Sequence, residues 1–179
     1  GAAAGLEALA EPQGAARKGP PGVEPFLNAA LTMFRRLLPR SIQVTESRGA
    51  GEDGRILSCS EAEGLRAAAA LAIALRRALD GRGKLKLTLG FSHRARGGGG
   101  GGVVRWTADF APGEGVAKAL LGKRSSALDF ETRLALEALE RPAGETPVRF
   151  AAEARGKSGV RLKLEIPCRA AERRASHRS

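Results

Sequence analysis

Residues Lys84–Phe91 constrain the fold more than any other stretch of this chain. Leu85, Leu87, Leu89 and Phe91 alternate with Lys84, Lys86 and Thr88. A period of two places the apolar side chains on one face of a strand and the polar ones on the other. The chain must therefore build a sheet with one wet face and one face covered by other elements. The C-terminal stretch repeats the pattern, with Val160, Leu162, Leu164 and Ile166 alternating with Arg161, Lys163 and Glu165.

The helices that cover the apolar face are legible around these strands. Ser60 followed by Glu63 has the spacing of a capping box. Leu65, Ala68, Ala72, Leu75 and Leu79 then mark one helical stripe that ends at Asp80-Gly81. A second helix is expected at about residues 126–140, with Leu128, Ala135 and Leu139 on one face. Residues 24–38 carry Phe26, Ala30, Met33 or Phe34, and Leu37 at helical spacing and stop at Pro39. This helix reads either as a cap on the core or as a basic linker helix that touches RNA. Ser41–Ser47 and Val148–Ala152 read as strands. Ile56–Cys59 reads as a short strand or as the entry to the next helix. Val103–Phe110 is either the hairpin partner of Lys84–Phe91 or part of an insertion.

The expected architecture is a two-layer α/β (α+β) sandwich ordered β-α-β-α-β-β. It has a four-stranded mixed sheet and two helices on one face. The first two strands, joined through a helix, should run parallel, and the last two antiparallel. Residues 1–40 are expected to be an arm and linker helix, 41–168 one domain, and 169–179 a basic tail. The chain begins at Gly1 rather than Met. An organellar leader removed upstream is expected, which points to a mitochondrial or other organellar matrix.

Catalytic chemistry is hard to find in the sequence. Cys59, Cys168, His93 and His177 are too scattered for a zinc motif, and the two thiols are expected to be reduced and structural. The run Gly97–Gly102 lacks the Lys-Ser/Thr of a phosphate-binding loop. Glu137 and Glu140 alternate with Arg133 and Arg141 as on a solvated helix face. No enzyme activity, cofactor, metal or small-molecule substrate is expected, and no apolar run is long enough to span a membrane.

Charge carries the functional expectation. The net charge is +11, with 30 Lys and Arg against 19 Asp and Glu. No acidic residue falls between Gly81 and Ala108, whereas Arg82, Lys84, Lys86, His93, Arg94, Arg96 and Arg105 do. Lys118, Lys123 and Arg124 form a second basic cluster, and Arg155, Lys157 and Arg161 a third. Basic loops next to flexible glycines suit an irregular phosphate backbone. Trp106, the only Trp, reads as a core residue or as a stacking platform for a base.

The helix over Leu65–Leu79 runs through a Gly turn into Lys84-Leu-Lys86-Leu-Thr88-Leu-Gly-Phe91 and then a basic loop holding His93, Arg94 and Arg96. This segment resembles the C-terminal domain of translation initiation factor 3, as does the strand Gly159–Pro167. The likeness spans roughly residues 41–168, with Gly90 where the family commonly has Arg and a longer stretch at residues 97–117. It implies an RNA-binding translation factor that grips ribosomal RNA of the small ribosomal subunit and opposes premature subunit joining. A structural organellar ribosomal protein and an Alba-like nucleic-acid-binding dimer are the alternatives.

Overall fold

Strand β1 (Ile42–Arg48) lies parallel to β3 (Gly83–His93), the two joined through helix α2 (Glu61–Ala78), as the crossover argument requires. The computed structural model describes residues 20–49, 54–93, 101–122, 128–140 and 148–171. The two-layer α/β class holds. The sheet, however, is mixed and six-stranded, with four helices among the described residues.

The difference comes from two segments. Residues 102–110 form β4 (Gly102–Phe110), which is no insertion: it sits between β3 and β6 (Gly159–Ala170), antiparallel to both. Seven of its nine positions are buried. Helices cover one face of this strand, and the flanking strands' side chains shield much of the other. Residues Arg55–Leu57 form the short strand β2 against the far end of β6. Strand β5 (Arg149–Arg155) pairs with the near end of β6. The sheet order is therefore β1-β3-β4-β6-β2, with β5 also on β6.

Helix α1 (Val23–Leu37) places Phe26, Ala30 and Phe34 fully in the core, so its role as a cap on the domain core is the one observed. It packs on α2 at Gly64, where an added Cβ would lie 2.7 Å from the Phe26 ring. Helix α2 carries both halves of its capping box: the Ser60 Oγ accepts from the Glu63 N–H at 3.2 Å, and the Ser60 N–H donates to Glu63 at 2.8 Å. It stops at Asp80-Gly81, where Gly81 adopts φ of 71° and its N–H reaches the Arg76 carbonyl. That left-handed residue at the helix end is the usual glycine stop.

The second expected helix is shorter at its start, α4 (Phe130–Glu140), and is preceded by a separate helix α3 (Glu114–Gly122). Gly115 and Gly122 within α3 weaken its periodic signal. Both cysteines are buried thiols outside any disulfide. Burial pushes the Cys59 thiol up to about 11, so it stays protonated. No described helix is long and apolar enough to cross a membrane.

Candidate functional site

The open face of the sheet collects many of the basic residues expected to hold RNA. Register places Lys86, Asp109, Arg161 and Glu153 in one row across β3, β4, β6 and β5. The next rows hold Thr88, Thr107 and Lys163, and then Gly90, Arg105, Glu165 and Arg149. Each row alternates in sign or is neutral over much of its length. Arg161 donates to both Asp109 oxygens at 2.6 Å. Arg105 donates to Glu165 at 2.8 Å and Lys163 to Glu153 at 2.7 Å. Arg155 lies 3.8 Å from Asp109.

Within the acid-free stretch from Gly81 to Ala108, Arg105 therefore receives its counter-charge from another strand. A cross-strand neighbour stands about 5 Å away but up to 60 residues along the chain. Lys84 and Lys86 are exposed on this face, Arg82 is exposed in the turn before β3, and Lys157 is exposed in the turn between β5 and β6. His93 ends β3. Arg94, Arg96, Lys123 and Arg124 lie outside the described residues. Trp106 is fully buried, tilted against Phe34 with ring centroids 5.7 Å apart, and offers no face to a base.

The Arg161 hydrogen bonds, aided by the charges of Arg161, Arg155 and Lys86, hold the Asp109 carboxyl below the usual carboxylate range. A depressed carboxylate adds stability that is complete above the unfolded value of about 4 and lost as pH falls through the folded value. Asp109→Asn should therefore lower stability at neutral pH. Its loss of stability between about pH 4 and pH 2 should be shallower than that of the parent chain. Urea midpoints across that range measure both effects.

A concavity large enough for a small molecule lies elsewhere. Helices α3 and α4 splay apart over β5 and leave a groove of about 710 Å³. Leu120, Leu128, Leu136 and Phe150 line it, and Leu121, Phe130, Arg133, Glu137 and Glu140 reach its rim. Phe130 is 68% exposed and Leu121 38%, and they are the exposed large apolar side chains among the described residues. Helix α4 turns Glu131, Thr132, Ala135 and Leu139 inward, so Phe130, Arg133 and Glu137 fall on its outer side. At the start of α4, the Thr132 N–H donates to the Asp129 carboxylate at 2.7 Å. The sequence offered one clue to this site, a Phe off the Leu128–Ala135–Leu139 stripe in a chain with few aromatics. It needed α3, which periodicity did not reveal, to become a groove.

The described chain is thus a two-layer domain with a bare sheet face and a lateral groove beside an edge strand. It matches no family model and no curated protein. The solved structures similar to it include a histidine kinase from Burkholderia phymatum, at 13% identity and a TM-score of 0.47, covering 92% of this chain and 74% of that one. The catalytic domain of histidine kinase ThkA is similar at 14% identity and a TM-score of 0.49, covering 83% and 95%. A mycobacterial sensor histidine kinase, MprB, is similar at 10% and 0.49, covering 85% and 99%. At these values the likeness assigns neither activity nor ligand to this chain.

These neighbours are named as histidine kinases, not translation factors, and several expectations are corrected. The likeness to initiation factor 3 does not hold: the sheet has six strands with β4 at its middle, where a β-α-β-α-β-β domain has four. The reading as a translation factor that binds ribosomal RNA and the small ribosomal subunit goes with it. Its ribosomal-protein and Alba-like alternatives rested on the same basic surface, whose central cations are ion-paired. The expectations of no enzyme and no small-molecule substrate find no support among these neighbours, which are named as kinases.

Proposed function

We propose that the groove between α3, α4 and β5 binds a small aromatic anion of the nucleotide class. The observation that carries this reading is the pairing of an exposed Phe130 with Arg133 one helical turn later, above an apolar floor. An aromatic base stacks on the face of a Phe, and a guanidinium grips phosphate oxygens. Glu137 and Glu140 on the rim are acceptors for exocyclic amines. The groove's size is within the roughly 300–1,000 Å³ of small-molecule sites. The ThkA neighbour is described as a nucleotide-free form, which makes ATP a sensible first probe.

The test is calorimetric titration of the chain with ATP and with adenosine, each with and without magnesium. Phe130→Ala should weaken both ligands by about tenfold, as loss of one stacking partner does. Arg133→Ala should weaken ATP and leave adenosine unchanged. Phosphate release, followed in the same samples, reads whether bound nucleotide is turned over. Absence of binding at millimolar ligand, or equal binding by both variants, would overturn the proposal.

A further inference from the structure

The edge of strand β5 points to a second site. Among the described residues β5 pairs with β6 alone, so its other edge carries unpaired backbone groups. The opposite edge of the sheet, β1, is guarded: Arg35 of α1 binds Glu46, and Arg48 binds Asn28. Natural sheets blunt exposed edges with such charges, or else use them for pairing. Among the described residues, no hydrogen bond or ion pair from a helix guards β5 in this way. Hollows flank it on both sides, the apolar groove at Phe150 and Ala152 and a polar one at Arg149, Ala151 and Glu153.

The β5 sequence is self-complementary. If two copies are laid antiparallel about Ala151, Arg149 of each stands opposite Glu153 of the other. Phe150 stands opposite Ala152, and Ala151 opposite Ala151. The arrangement has two ion pairs on the open face, two large–small pairs on the groove face, and small residues at the dyad. Centring on Ala152 would instead set Arg149 against Arg155 twice, and centring on Phe150 would form no ion pair. A twofold axis normal to the sheet keeps both helix layers on one side. The exposed Phe130 and Leu121 of each copy then border the seam.

We infer that this edge pairs with a second copy of the chain, joining two sheets through β5 in the register centred on Ala151. The charged residues that set the register, Arg149 and Glu153, do not line the groove, so failure of this inference and failure of nucleotide binding are separately visible.

Sedimentation velocity over a concentration series tests it, with Arg149→Glu, Glu153→Arg, the double exchange, and Ala151→Glu. Each single reversal sets two like-charged pairs across the seam and should raise the dimer dissociation constant by roughly tenfold or more. The double exchange restores opposite charges and should restore the dimer. Ala151→Glu places two carboxylates at the dyad while facing Lys163 within its own copy, so it should give a folded monomer. Circular dichroism melts verify the fold of each variant. A parent chain that is monomeric at every concentration overturns the inference. So does a dimer indifferent to Ala151→Glu, or a double exchange no tighter than the single reversals.

Discussion

Replacing Trp106 with alanine is expected to remove about 3–5 kcal/mol of folding stability, the range for loss of a fully buried large aromatic. Trp106 is 0% exposed on the central strand β4, between Leu89 of β3 and Leu164 of β6, and it packs on Phe34 from α1. The side chain therefore ties the sheet to the helix layer at one point. Domains of this size have about 5–15 kcal/mol in total, so the alanine variant should be largely unfolded at modest urea concentration. A control separates packing from hydrogen bonding. The Trp106 Nε1 has no partner among the described residues. Trp106→Phe deletes that unsatisfied donor and keeps an aromatic ring, so it should cost less than half as much. Urea denaturation of both variants measures the difference. A loss under about 1 kcal/mol for the alanine variant would contradict a central core role for this side chain.

The second large effect is expected at Glu131. This carboxylate is 8% exposed at the start of α4, and it accepts hydrogen bonds from both Arg76 and Arg77 at the end of α2. Its hydrogen bonds raise the Arg77 guanidinium above its ordinary value. Glu131→Ala leaves two adjacent guanidiniums, 19% and 39% exposed, with Asp129, 3.8 Å from Arg77, and Asp80 as nearby carboxylates. Because both arginines reach water in part, the cost should be about 2–3 kcal/mol, the upper range for hydrogen bonds to charged groups. Glu131→Gln keeps the shape and one acceptor and should lose about half of that. The two variants unfolded in urea, with Arg133→Ala as an exposed control, settle the ranking. Equal stability of Glu131→Ala and the parent would show that α2 and α4 are held by apolar contacts such as Ala135 and Leu139 alone. The Glu131 clamp also fixes the angle at which α4 presents Phe130, so Glu131→Ala should weaken any ligand held in the groove.

The groove itself shows why site residues are harder to read than elements. Phe130, Arg133 and Glu137 share a helix face that looks like an ordinary solvated side. Phe150 looks like one apolar residue of an edge strand. They become one site only because α3 and α4 diverge above β5, and no spacing along the chain encodes that divergence. The basic surface is the opposite case. Arg105 and Arg161 were conspicuous in sequence, but Glu165 and Asp109, from other strands, hold them.

What the sequence determined by itself was local and periodic. It specified the strands at Leu85–Phe91 and Val160–Ile166, the capped helix begun by Ser60, its stop at Gly81, the parallel pairing across it, and the two-layer class. Each depends on neighbours within a few residues, where backbone geometry and side-chain alternation act directly. The tertiary structure alone decided the position of β4 in the middle of the sheet, the pairing of Arg76 and Arg77 with Glu131, the ion pairs across the sheet face, and the groove beside β5. These depend on which strands become neighbours and in what register. That choice is made by burying apolar area across long chain separations, so the pattern within any one segment does not contain it.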